Sequence, residues 1–221
     1  TLGGPISKDK AFLFFNYEGQ RRSESPFYNT VILNNINLIN QTKANLFGLA
    51  TENLNQTKTF DYNQILAKVD VSLTPNHYLF VRYFFSDSSL LGVSPLSDGT
   101  DLPSAFKDNF FNDNSVVASL TSTLTSSFVN DLRVQYARRF FDFLTASTQP
   151  HLEVINTFTT GVNRGNPDFY REPRFEISDS ATWTRGKHTV SFGGNFNWVQ
   201  TEESFPLFYP LEADFACLLA S

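Results

Sequence analysis

Period-two alternation, delivered in pairs of runs joined by tight turns, limits this chain more than any other feature. Residues 63–74, NQILAKVDVSLT, place Ile65, Ala67, Val69, Val71 and Leu73 on one face, and Leu66, Lys68, Asp70, Ser72 and Thr74 on the other. Residues 77–87, HYLFVRYFFSD, repeat the pattern, with Leu79, Val81, Tyr83 and Phe85 opposite Tyr78, Phe80, Arg82, Phe84 and Ser86. Only Pro75 and Asn76 separate the two runs, which predicts a tight hairpin.

The unit recurs. Residues 115–124 alternate Val116, Ala118, Leu120 and Leu124 against Val117, Ser119, Thr121 and Thr123, then turn near Ser127. In 130–141, Leu132, Val134 and Tyr136 oppose Arg133, Gln135 and Ala137. A third hairpin turns at Arg185-Gly186-Lys187, and its second run sets Val190, Phe192, Phe196 and Trp198 against Thr189, Ser191, Gly193, Asn195 and Asn197. Two residues break the pattern. Asp179 falls among Phe175, Ile177, Ala181 and Trp183, where a bulge would repair the register. Arg138 is tolerable if it snorkels to a membrane rim.

A soluble β-sandwich also alternates, so the connections carry the decision. Tight turns near 75, 127 and 186 alternate with long segments at roughly 21–61, 88–112, 143–172 and from 202 onward. Short turns on one side and long loops on the other are the habit of outer-membrane barrels, whose tilted strands need about 9–11 residues to cross the bilayer. Trp183 beside one turn and Trp198 at the far end of the next run suit the two aromatic girdles of such a wall.

Composition agrees. Aromatic residues make up 15% of the 221, 24 of them Phe, while charged residues reach only 18%. No run of about 18 apolar residues exists, so only strands could span a membrane. The net charge of −5 and the scattered 17 basic residues argue against a nucleic-acid partner. The lone Cys217 excludes an internal disulfide. No signal peptide opens the sequence; it starts at Thr1 and holds no Met, so it reads as a piece of a longer protein.

Three stretches carry a family resemblance: LGGPISKDKAFLFFNYEGQR at 2–21, KVDVSLTPNHYLFVRYFFSD at 68–87 and ATWTRGKHTVSFGGNF at 181–196. They resemble the barrel of TonB-dependent outer-membrane receptors of the Oar-like group. There, a Gly-Gly-Pro-Ile segment with a charged turn links the first two barrel strands, and a Trp-Thr-Arg-Gly-Lys-His turn joins two later ones. The resemblance implies a bacterial outer-membrane protein in contact with lipid, with an extracellular ligand that it leaves unidentified. It also implies about 22 strands and energy coupling to the TonB complex through an amino-terminal plug. Seven strands are countable here, with residues 1–4 the remnant of another, and no plug. ADFACLLAS at the end lacks a terminal aromatic strand. The expected architecture is therefore all-β: 1–221 form an incomplete antiparallel transmembrane β-barrel, with Leu13, Phe15 and Tyr17 toward lipid and Asn16 and Glu18 toward the lumen. The expected function is TonB-dependent ligand uptake, and the competing reading is a soluble β-sandwich for carbohydrate binding or adhesion.

Catalytic chemistry is hard to find, and the chain is read as a non-enzyme without cofactor. His77 and His188 lie at turns and His151 in a long segment, none with a second His or Cys at metal-ligand spacing, so each reads as a solvated histidine. Asp98 and Asp101 could contribute to calcium binding, although Asp-Gly is also an ordinary turn signal. Asn40-Gln41-Thr42-Lys43 and Asn55-Gln56-Thr57-Lys58 echo one another; they match a glycosylation sequon, but loop packing suits a bacterial protein better. Lys68, Asp70, Arg82 and Arg133 face the expected lumen, where cross-strand pairing is favoured over substrate contact. No ligand-binding residue is assigned.

Overall fold

A computed structural model describes residues 1–94, 98–163, 167–207 and 211–215. Its main sheet is antiparallel and runs in chain order through β1 (Leu2–Ser7), β2 (Ala11–Glu24), β3 (Lys58–Thr74), β4 (His77–Val93), β5 (Lys107–Thr125) and β6 (Phe128–Thr145). Two short strands, β7 (His151–Val154) and β8 (Phe158–Thr160), intervene before β9 (Asp168–Arg185) and β10 (His188–Val199) complete the row. β11 (Glu202–Ser204) adds to β9 beyond the end of β10, and β12 (Glu212–Phe215) joins β7 and β8 in a separate three-stranded sheet. β1 and β10 are the two edges of the main sheet, so the wall is open.

The four connections at one end are tight. Asp9 adopts φ 58° in the first, Pro75-Asn76 forms the second, Ser126-Ser127 the third, and Gly186, at φ 61°, relieves the fourth of a Cβ penalty. At the other end the chain makes long excursions, including one helix, α1 (Thr30–Phe47).

The tight-turn half of the sheet has one apolar face. Leu13, Val69, Val81, Ala118, Val134, Ile177 and Phe196 are register partners across seven strands. The adjoining row is Phe15, Ala67, Tyr83, Val116, Tyr136, Phe175 and Trp198. Among the described residues nothing covers this face, and Tyr136 is 50% and Phe196 58% exposed. A soluble sandwich would bury such rows under a second sheet; an apolar band this wide without protein cover calls for lipid. Trp183 pairs with Val190 and Trp198 with Phe175, so the Trp rows stand at 183 and 175 on β9. Eight residues of strand tilted by about 40° separate them by roughly 20 Å, close to the height of a barrel's apolar band.

The strands outrun the expected length. β3 and β4 have 17 residues each, β5 19 and β6 18, so the long connections shrink to 25–57, 94–106 and 146–167. The pattern inverts phase instead of stopping. Toward the loop end the outward face turns polar in the row Gly19, Asn63, Asp87 and Asn112, while the inward face acquires Phe60, Tyr62, Phe111, Phe141 and Tyr170. Above the hydrocarbon the outward face meets water and the inner face gathers the aromatics.

The bulge expected at Asp179 is not formed. Register runs unbroken from Arg185 to Arg174 against β10 and from Trp183 to Asp168 against β6. Asn130 Nδ2 donates to Asp179 Oδ1 at 2.8 Å, and Gly194 opposite leaves room, which satisfies the carboxylate within a regular ladder. Arg138 turns toward the loop end, its guanidinium 4.3 Å from the Phe140 ring centroid, as a snorkelling side chain would.

Candidate functional site

The long connections are folded together into a cap. Asn29 starts α1, its Oδ1 accepting from Ile32 N at 2.8 Å, and Gly48 ends it in the left-handed region at φ 64°. Ile32, Ile36, Ile39 and Lys43 recur at helical spacing and face inward. Tyr28, Ile32, Ile39, Leu102 and Phe106 make the cap core, with Ile36, Leu54 and Phe158 packed against it.

Beside that core lies a buried ionic knot. Lys43 and Glu52 side chains are each 3% exposed and in direct contact. Lys43 Nζ also donates to Thr160 Oγ1 at 2.6 Å, and Glu52 accepts from Thr160 Oγ1 at 2.6 Å and from Ser104 N at 3.0 Å. The Glu52 backbone is clamped by Asn40, which accepts from Glu52 N at 2.7 Å and donates to Glu52 O at 3.0 Å. Burial pushes the Glu52 carboxyl upward, but hydrogen bonds from Lys43, Ser104 and Thr160 and the Lys43 charge outweigh it and hold the group below its ordinary value. Burial, with help from the Glu52 charge, pushes the Tyr28 phenol up to about 12. Four separate segments are thus tied by one network.

Next to this core and knot an apolar groove of about 550 Å³ opens between α1 and the three-stranded sheet, with Ile39, Lys43, Phe158 and Thr160 also on its lining. Leu38, Leu46 and Phe47 form one wall, Leu152, Val154 and Phe215 the other. The Phe47 and Phe215 rings stand 6.1 Å apart. On the inner face of the main sheet, Phe111, Phe141, Phe143 and Tyr170 form an aromatic patch with centroid separations of 5.1 to 6.3 Å. Beneath it, toward the tight turns, Arg139 holds Asp113 through Nε at 2.8 Å and Nη2 at 3.3 Å, and Arg174 pairs with Glu172 at 3.0 Å.

The residues singled out from sequence fall in different places. Lys68 pairs with Asp70 at 2.8 Å, though along one strand instead of across two, and its ammonium lies 5.1 Å from the Phe80 ring centroid. Arg82 and Arg133 form no ion pair among the described residues, so the expected cross-strand pairing does not extend to them: their register partners are Lys68 and Val117, and Ser119 and Ser178. Asp98 accepts from Thr100 N at 3.0 Å and Oγ1 at 2.7 Å, which holds its carboxyl below the usual range. Asp101 is 1% exposed and accepts from Ser94 Oγ at 2.7 Å. The two aspartates do not share a metal-ligating cluster among the described residues. Ser97, which precedes Asp98, lies outside the described residues.

Of the two echoed tetrapeptides, the first supplies Asn40 and Lys43 to the ionic knot; in the second, Lys58 pairs with Glu24 at 2.9 Å. Equal sequence therefore serves unequal roles. His188 is exposed, and His77 Nδ1 lies 2.9 Å from Ser122 Oγ. His151 corrects the solvated-histidine expectation: it is 4% exposed, in β7, with Nδ1 2.8 Å from the Val162 carbonyl. Sequence offered little warning, because its neighbours in space, Glu212 and Asp214, lie some sixty residues on. The α1 helix was not expected within the long segment 21–61: its Ile32, Ile36, Ile39 spacing is a helical signal, but the Asn content obscures it.

The family model described as "Outer membrane beta barrel domain" matches residues 25–216. No curated protein and no solved structure gave a match. The match takes in the cap and most of the sheet, and agrees with the bare apolar rows, the tight turns at one end and the excursions at the other. The chain belongs to the outer membrane beta barrel domain family and resides in the bacterial outer membrane as part of a barrel wall.

Proposed function

We propose that this wall belongs to a TonB-dependent, Oar-like uptake receptor that takes up an extracellular ligand, first captured at the loop end. The observation that carries the reading is the folded cap: an ordered groove of about 550 Å³ at the end of a transmembrane wall is a place for a ligand, where a purely structural barrel would need only short connections. The resemblance of residues 2–21, 68–87 and 181–196 to Oar-like receptors supports the energy-coupled form of that function. The groove walls are aliphatic and aromatic, which favours a ligand with an apolar part. The aromatic patch of Phe111, Phe141, Phe143 and Tyr170 lies on the inner face at the mouth, and the polar wall of Arg139, Asp113, Glu172 and Arg174 lies below it. In this reading a ligand released from the groove passes along these surfaces once a plug, supplied elsewhere in the full protein and coupled to the TonB complex, moves aside.

No step of this process is chemical, and the protein acts as a receptor, not as an enzyme. The test compares spent medium from cells carrying the full-length receptor, cells lacking it, and cells lacking the energy-transducing partner. Mass spectrometry should find a compound depleted only where both proteins are present. Identical media from all three strains would overturn uptake, and depletion that needs the receptor alone would overturn the TonB dependence.

A further inference from the structure

We propose that β7 and β12 form a divalent transition-metal site, of the kind that takes Zn²⁺, which clamps one wall of the cap groove. β12 runs parallel to β7, with Glu212 opposite His151 and Asp214 opposite Glu153. Alternation puts these four side chains on one face of the pair and Leu152, Val154 and Phe215 on the other, which is the groove side. The donor atoms of His151, Glu212 and Asp214 all lie within 4.8 Å of one another, and Glu153 Oε2 is 3.8 Å from His151 Nε2.

The imidazole is the decisive member. Its Nδ1 donates to the Val162 carbonyl at 2.8 Å, which orients the ring and directs Nε2 into the carboxylates. A ring nitrogen fixed by a backbone carbonyl, with the other nitrogen free to bind, is the usual support for a metal-bound histidine. Nε2 is buried and has no hydrogen-bond partner, an arrangement that leaves a buried lone pair unsatisfied unless something binds it. The carboxylates of Glu153, Glu212 and Asp214 lie around it on the same face of the strand pair. One nitrogen with carboxylate oxygens suits Zn²⁺, whereas Ca²⁺ and Mg²⁺ favour oxygen alone.

The support is built in. Gly161, beside Val162, has φ 81°, and a Cβ there would lie 1.9 Å from the Pro150 carbonyl oxygen, so only glycine lets the chain bring the Val162 carbonyl onto His151. A bound ion would join β12 to β7 from behind and hold Phe215 against the groove.

The site is independent of what passes through the barrel, and its test needs no ligand. The full-length receptor in detergent would be stripped with chelator, and Zn²⁺ titrated against a chromophoric competitor, with Co²⁺ as a spectroscopic probe. The expected result is one equivalent that His151→Gln weakens at least about ten-fold, with loss of the visible Co²⁺ band. Glu212→Gln with Asp214→Asn, on half-buried and exposed positions, should do the same without disturbing the buried ring. His77→Gln and His188→Gln should leave it unchanged. Equal Zn²⁺ binding by the native protein and either altered β7–β12 site, or displacement of Zn²⁺ by equimolar Ca²⁺, would overturn the proposal; so would the absence of any bound equivalent.

Discussion

An arginine placed at three positions of the wall should reveal where the hydrocarbon lies. Val81 is five residues beyond Asn76, on the apolar face between Val69 and Ala118. Five residues at 3.3 Å, tilted by about 40°, put it about 12 Å above the turn, near the middle of an apolar band about 25 Å high. Val81→Arg should therefore cost about 2–4 kcal/mol, a factor of roughly 30 to 1,000 in the folding equilibrium. Val190 shares the outward face but pairs with Trp183 beside the turn, so Val190→Arg should cost no more than about 1 kcal/mol. Ser191 points the opposite way, its hydroxyl 3.0 Å from Thr182 Oγ1, and Ser191→Arg should be nearly neutral. The assay is reversible unfolding of the whole protein in liposomes, with heat-modifiable migration on gels as a check of assembly. Equal costs for Val81→Arg and Ser191→Arg would refute the facing of the sheet; a Val190→Arg cost as large as that of Val81→Arg would refute the depth assignment.

Two further outcomes follow from the same structure. Glu52→Gln leaves the 3%-exposed Lys43 ammonium without its anion and should destabilise the cap by about 3–5 kcal/mol, seen as faster hydrogen exchange in α1, while adding Lys43→Met should recover most of the loss. Because the folded Glu52 carboxyl lies below its ordinary value of 4.5, its stabilisation is complete above that pH and is lost as pH falls through the lower folded value; the α1 protection factors, corrected for the intrinsic pH dependence of amide exchange, should stay level above pH 4.5 and fall only below it. The 221 residues alone should yield no closed conducting pore, because β1 and β10 present unpaired edges that lipid cannot satisfy; a stable, heat-modifiable, conducting species made from them would contradict that.

The membrane half of the wall was legible because one face there is apolar apart from a few positions such as Asp179 and Asn130, so that a single slip of register would turn Val69, Val81 or Ile177 to the wrong side. The loop half was not, since the alternation of Phe60, Tyr62, Phe111 and Phe141 continues in the opposite phase and looks like the end of a strand. Asp179 misled for a different reason: a polar residue in an apolar register can be satisfied by a neighbour such as Asn130 without any change of backbone. The cap was the least legible part. Its ionic knot joins Lys43, Glu52, Ser104 and Thr160, and its histidine cluster joins β7 to β12, contacts fixed by tertiary packing and by no local pattern.

Sidedness offers the most direct test of the account. A protease site inserted after Leu49, in the stretch following α1, should be cut on whole cells expressing the whole protein, because the loop end faces outward. The same site inserted at Pro75-Asn76, between β3 and β4, should resist until the outer membrane is permeabilised. Cleavage at Pro75-Asn76 alone in intact cells would invert the topology, and equal cleavage at both sites in a product soluble without detergent would contradict the membrane wall itself.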